Sequence, residues 1–136
     1  MTTTNGNDAV GLSTSTSAIG PLRFATIDGL KIRFASSATT AGRPILLLSP
    51  WPESILAFSP TWEYFTKLGP VIAIDLPGFG ASEGRPGVVE PEGMGHFIPE
   101  VLKSFDLKRP HAIGPDIGTS ALLFAALPLR LAHWRA

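Results

Sequence analysis

The sequence predicts an α/β fold, with a mostly parallel sheet in a three-layer α-β-α arrangement led in by an antiparallel hairpin. Three observations carry this. Short, continuously apolar runs at Ile45–Leu48, Val71–Ile74 and 112–114 alternate with segments of helical period. Each run ends in a loop containing Gly, Pro or Asp. Ahead of the first run, Asp28-Gly29 separates two alternating segments, a sequence suited to a tight primed turn.

The elements follow in order. Residues 22–27 and 30–35 form the hairpin, and Arg23, Lys31 and Arg33 alternate with apolar neighbours, so one face is wet. Residues 36–42 are a loop of small residues. Ile45–Leu48, ILLL, reads as a strand covered on both faces. Residues 49–60 hold Pro50, Pro52 and Pro60 and are expected to be irregular. Residues 61–68 suit a helix with Trp62, Phe65 and Leu68 or Gly69 on one side.

Val71–Ile74 is a second buried strand, followed by Asp75 and the loop LPGFGASEGRPG. Pro91, between Glu90 and Glu92, opens a helix reaching Phe105, with Met94, Phe97, Ile98, Val101, Leu102 and Phe105 as its apolar stripe. Pro99 is expected to kink or divide that helix. Residues 112–114 end a third buried strand, and 117–127 form a helix that Pro128 interrupts. Strand–helix alternation of this kind gives right-handed crossovers in a parallel sheet.

Composition narrows the function. At 136 residues the chain holds at most one domain, 44% hydrophobic and 16% charged. Lys+Arg and Asp+Glu are both 11 and form no basic stripe, so neither nucleic acid nor an anionic membrane is an expected partner. The absence of Cys excludes a disulfide framework, thiolate catalysis and Cys-ligated metal, and fits a reducing, cytoplasmic setting. Residues 1–20 are polar, lack a basic leader region and read as a disordered tail, leaving 21–136 as the domain. No apolar run approaches the roughly 18 residues that span a membrane. No His, Asp or Glu set has metal-ligand spacing, and no cofactor or metal is expected.

In a parallel sheet, ligands bind beyond the carboxyl ends of the strands. Three loops are expected to meet there: 49–52, 75–82 and 115–117. Within RPHAIGPDIGTS at 109–120, Asp116 stands between Gly114 and Gly118, which are expected to let the backbone turn sharply. The N–H of Ile117, opening a helix, faces an oxyanion forming beside Asp116, and the N–H of Trp51 is a second donor. Pro50 and Pro52 have no N–H but stiffen that loop. The plain alternative for Asp116 is a helix N-cap.

Asp75 reads as a structural carboxylate bonding loop N–H groups. Its D-x-P-G motif lacks the Gly-Lys-Ser/Thr loop that a nucleotide site requires. His111 opens the third strand, at the far end of the sheet from Asp116, and His96 lies on a helix flank. His133 follows Asp116 by 17 residues with no strand to return it. Ser49 and Ser82 have no base in sight, and Ser120 faces a helix flank.

Three segments together carry a family resemblance: ILLLSPWPES at 45–54, VIAIDLPGFGASEG at 71–84 and HAIGPDIGTSALLFAA at 111–126. They resemble, in order, the H-G-x-P oxyanion loop, the D-x-x-G-x-G-x-S loop and the small-x-nucleophile-x-small elbow of the α/β-hydrolase superfamily, specifically its epoxide hydrolase and haloalkane dehalogenase branch. The resemblance covers residues 22–127, the N-terminal half of the family fold. It implies that Asp116 is a nucleophile forming an alkyl-enzyme ester from a small apolar epoxide or haloalkane. It likewise implies Trp51 and Ile117 as backbone oxyanion donors, with Asp75, Gly78, Gly80, Gly114 and Gly118 shaping the loops.

In the family, a general-base histidine and its acid partner follow later strands, and neither has a place in this chain. The cap would lie beyond Ala136. Ser49-Pro50 stands where His-Gly is usual. Ile117 replaces the halide-binding Trp of dehalogenases, which favours the epoxide reading over the dehalogenase one. The resemblance therefore implies an incomplete hydrolase fold with an open edge beside the strand that carries Asp116. No steady turnover is expected, and self-association through that edge is. The alternative class is an inactive remnant or an edge-strand interaction module.

Overall fold

A computed structural model describes residues 19–134, with side chains to Leu127. Strand β3 (Ile45–Leu48) is buried at every position, and its side chains divide by parity. Leu46 and Leu48 join a core with Ile32, Ile74, Met94, Phe97 and Val101. Ile45 and Leu47 join a second core with Ala35, Ile55, Phe58, Trp62 and Ala73. Successive strand side chains point to opposite faces, so a strand apolar at every position needs cover on both.

That cover makes the three layers. The sheet holds β1 (Arg23–Ile27), β2 (Leu30–Ser36), β3, β4 (Val71–Ile74) and β5 (His111–Ile113) in the order β1-β2-β4-β3-β5. Strand β3 pairs in parallel with β4 and β5, while β2 pairs antiparallel with β1 and β4. Helices α2 (Pro91–Ser104) and α3 (Ile117–Trp134) pack together beside the first core. A 3₁₀ helix (Ile55–Thr61) and α1 (Trp62–Leu68) cover the second. Asp28 (φ 46°) and Gly29 (φ 76°) both adopt the left-handed conformation that a primed hairpin turn requires.

The structure departs from the sequence reading at several points. Residues 55–60, expected to be irregular, form the 3₁₀ helix together with Thr61, because Pro60 comes late enough to spare its opening turn and Ser54 Oγ accepts the Leu56 N–H at 3.3 Å. In α1, Trp62 is buried, and of the two alternatives at its end Gly69 is buried while Leu68, the last helical residue, is 69% exposed. Pro99 does not divide α2. Its missing N–H costs one bond, to the Gly95 carbonyl, and both halves of the helix are held by the buried Met94, Phe97, Ile98 and Val101.

Helix α3 runs through Pro128 to Trp134, its Ala- and Leu-rich turns sustaining it across one lost bond. Strand β5 reads as buried from its own apolar run, yet it is exposed at all its positions, because it stands at the open sheet edge that the family resemblance implied. Among the described residues no strand pairs with its outer side. Ile19, counted with the polar tail, is buried at 4% exposure in the second core, and residues 1–18 lie outside the described part. Among the described residues, no helix is long and apolar enough to cross a membrane.

Candidate functional site

Parallel pairing brings carboxyl ends together. Ile45 stands opposite His111 and Leu47 opposite Ile113. Extending that register, Ser49-Pro50-Trp51 leaves β3 alongside Pro115-Asp116-Ile117 leaving β5. On the other side of β3, Leu48 stands opposite Ile74, so the Asp75 loop leaves the sheet at the same level.

Asp116 makes the bend from β5 into α3, with φ at 50°. A non-glycine residue in this left-handed region costs roughly 1–2 kcal/mol, and Asp is among the side chains that tolerate it best. The bend is closed by neighbouring groups. Gly118 N–H donates to the Pro115 carbonyl at 2.9 Å and Thr119 N–H to the Asp116 carbonyl at 3.0 Å. Thr119 Oγ1 donates to the Gly114 carbonyl at 2.6 Å. The Asp116 side chain is exposed and, among the described residues, its carboxylate accepts no hydrogen bond. Capping of α3 is therefore done by backbone carbonyls, not by this carboxylate.

Gly114 and Gly118 do not make the turn, as the sequence suggested they would, since neither is left-handed. They permit close approach instead. A Cβ on Gly114 would stand 2.6 Å from the Gly118 carbonyl carbon, and one on Gly118 would stand 3.2 Å from Leu48 Cβ. Small residues two positions either side of Asp116 let α3 start directly against β3.

Asp75 is fully buried and fully engaged. It accepts from Arg33 Nε at 2.6 Å, Ile55 N–H at 2.8 Å and Ala81 N–H at 2.9 Å. Gly80 (φ 52°) passes so close that a Cβ would overlap this carboxylate, and Gly78 (φ 84°) makes the preceding turn. Ser82 Oγ donates to the Asp75 carbonyl at 2.8 Å and accepts the Arg33 N–H at 2.9 Å. Arg33 reaches this site from β2, although its alternation placed it on the wet face. The signal for it was an acid directly following an apolar strand, where a carboxylate that becomes buried needs a cation.

The Trp51 loop is anchored at both ends. Ser49 is fully buried, its N–H donating to the Ile74 carbonyl at 3.0 Å and its Oγ accepting the Leu76 N–H at 2.9 Å. The Ile55 bond to Asp75 fixes the other end. Between them, Trp51 is 61% exposed and precedes a cis peptide to Pro52.

The histidines are not at this site. His111 donates its N–H to the Pro44 carbonyl at the opposite end of β5, and His96 is exposed on α2. The side chain of His133 lies outside the described ones. Among the described residues, no group of three or more His, Cys, Asp and Glu could hold a metal ion.

No family model matches the chain. Its fold is similar to that of Cfl2 from Burkholderia cenocepacia, with TM-score 0.70 and 27% identity, over 78% of this chain and 36% of that one. It is also similar to the epoxide hydrolase CorEH, with TM-score 0.72 and 25% identity, over 81% and 38%. The chain is an α/β-hydrolase-fold protein related to the epoxide-hydrolase and haloalkane-dehalogenase branch. An uncharacterized hydrolase of Bacillus subtilis (strain 168), YugF, is 23% identical over 111 residues, which make up 81% of this chain and 41% of YugF. This α/β-hydrolase-fold chain thus spans well under half the length of each of these relatives.

Proposed function

We propose that this chain carries the nucleophile of an epoxide-opening hydrolase, with Asp116 forming a hydroxyalkyl ester. The observation that supports this best is the elbow itself. A left-handed Asp at the carboxyl end of β5 leaves an exposed carboxylate with no hydrogen bond among the described residues. Asp28, Asp106 and Arg109 are left-handed too, and of these four Asp116 is the one that follows the carboxyl end of a parallel strand, where strain is a lead to function.

On this reading, one Asp116 carboxylate oxygen attacks an epoxide ring carbon. The carbon–oxygen bond breaks, its electron pair goes to the ring oxygen, and that oxygen takes a proton from water. The product is an ester whose carbonyl oxygen faces the N–H groups of Ile117 and Trp51. Water adding to that carbonyl places negative charge on the oxygen, which the N–H groups stabilise, and collapse releases a diol and restores the carboxylate. The attacking water requires a base. Among the described histidines, His96 and His111 stand elsewhere, and on this reading the ester is held. The exposed Trp51, on the loop that leaves β3, favours a small apolar substrate.

Incubation with a small aryl epoxide, followed by intact-mass analysis and peptide mapping, tests this. One adduct of the epoxide's mass on the Asp116 peptide, absent in Asp116→Asn, is expected. No adduct overturns the reading, and continuous diol release overturns the stalled ester. A haloalkane tested in parallel is expected to react more slowly, because Ile117 has no indole N–H for the leaving halide.

A further inference from the structure

Strands β3 and β4 run in parallel with Leu48 opposite Ile74, so Ser49 stands opposite Asp75, one step past the last paired residues. In a parallel ladder the residue at that step donates its N–H to the residue before its partner and accepts, through its carbonyl, from the residue after it. The first bond is present, from Ser49 N–H to the Ile74 carbonyl at 3.0 Å. The second is not made by the carbonyl. Leu76 N–H donates to Ser49 Oγ instead, at 2.9 Å.

The hydroxyl has therefore taken the place of its own carbonyl in the ladder. The end of β3 stays pinned to β4, while the Ser49–Pro50 peptide is released to turn out of the sheet toward Trp51. Ser49 is fully buried, as are Asp75 and Leu76 on the other side of the bond, so the hydroxyl has little room to move. At the far end of the same loop, Ile55 N–H is held by Asp75 Oδ1 at 2.8 Å. Both anchors of residues 50–54 thus sit on the consecutive pair Asp75-Leu76. Pro50 and Pro52 offer no N–H, so the direction in which the chain leaves Ser49 sets where the Trp51 N–H points.

We propose that Ser49 is a positioning residue, whose hydroxyl holds the Trp51 N–H against the ester carbonyl oxygen of Asp116 without itself touching substrate. This rests on the Asp116 ester reading. It assigns the hydroxyl to the second chemical step, where charge develops on that oxygen, more than to the first.

The test uses the full chain labelled with an aryl epoxide. Hydroxylamine then cleaves the Asp116 ester, attacking its carbonyl carbon and leaving a hydroxamate and a free diol. The cleavage rate is measured on folded protein and on the same adduct in urea, and their ratio reports what the fold contributes. In the parent that ratio is expected to be well above one. Ser49→Ala is expected to lose at least about tenfold of it, as for a displaced oxyanion donor, while its labelling rate changes less than threefold. Ser49→Thr, which keeps the oxygen, is expected to recover the ratio to within about threefold.

A merely structural serine would lower the unfolding midpoint and leave the folded-to-unfolded ratio of the remaining folded protein unchanged, which overturns the proposal. Should Ser49→Ala not fold, Ser49→Cys decides, counting adducts on the Asp116 peptide only. Its sulfur is a weak acceptor, so a ratio equal to the parent's overturns the proposal and a severalfold loss supports it. If the parent takes no label on Asp116, the nucleophile reading falls and this inference with it. If the parent labels but the variants cleave like it, only the role of Ser49 falls.

Discussion

Arg33 Nε donates to Asp75 Oδ2 at 2.6 Å, joining the hairpin strand β2 to the loop that leaves β4. The carboxylate is fully buried and the arginine side chain is 16% exposed, so solvent screens the pair poorly. The same carboxylate holds the N–H groups of Ile55 and Ala81. Removing one partner of a buried pair costs about 3–5 kcal/mol, because the other is left uncompensated. Asp75→Ala is expected to fall in that range in urea unfolding. Arg33→Lys, which keeps the charge but not the planar donor, is expected to cost less than half as much. A loss under about 1 kcal/mol for Asp75→Ala contradicts this account.

Gly114 and Gly118 are expected to differ in tolerance although both flank Asp116. An added Cβ at Gly114 meets backbone, 2.6 Å from the Gly118 carbonyl carbon, which moves only if the elbow opens. At Gly118 it meets the Leu48 side chain at 3.2 Å, which can give by a few tenths of an ångström. Overpacking costs typically about 1–3 kcal/mol. Gly114→Ala belongs at or above the top of that range and Gly118→Ala near the bottom. Equal costs in thermal or urea unfolding would mean that the turn, not the contact, sets the requirement.

The left-handed Asp116 gives a third outcome, separable from reactivity. Asn tolerates this conformation, so Asp116→Asn is expected to leave stability within about 0.5 kcal/mol while abolishing epoxide labelling. A β-branched residue does not, and Asp116→Val is expected to lose about 1–2 kcal/mol. Denaturant midpoints of the pair check this. A Val variant as stable as the Asn one would show that the elbow relaxes freely.

Where the sequence spoke through local chemistry, the fold was legible. The four apolar residues of β3 demanded cover on two faces, and Asp28-Gly29 demanded a primed turn. The Gly-flanked Asp116 stood out for the same reason, since few residue types suit that position. What depended on neighbours was not legible. Nothing in HAI itself distinguishes a central strand from an edge strand, and the open edge was legible only through the family resemblance, since strand order decides exposure. The alternation that put Arg33 on a wet face was correct as a period, but the β2–β4 register sets Arg33 directly opposite Asp75, whose N–H donates to the Arg33 carbonyl at 3.0 Å. Pro99 was expected to kink or divide its helix and Pro128 to interrupt one, yet both helices run on through them, each long enough to lose one bond. Ser49 looked like a departure from a motif, and only the β3–β4 register gives its hydroxyl a place in the ladder.

The edge at β5 carries a last prediction. Leu123 and Leu127 on α3 are 63% and 45% exposed, and Ile113 on β5 is 37% exposed. Apolar grooves run along both faces of that strand. One, of about 390 Å³, is lined by residues that include Leu46, Ile98, Leu102 and Leu122. The other, of about 540 Å³, is lined by residues that include Ile45, Phe65, Leu68 and His111. An open apolar edge flanked by apolar grooves is a template for another chain, and a formal net charge of zero supplies no repulsion against it. The chain is therefore expected to self-associate at micromolar concentration. Ile113→Lys combined with Leu123→Lys should shift sedimentation toward monomer. Phe24→Lys, at 47% exposure on the opposite edge strand β1, should leave it unchanged, because added charge alone is then the same in kind but sits on the wrong edge. Equal dispersal by both variants would assign association to the lack of net charge instead of to β5.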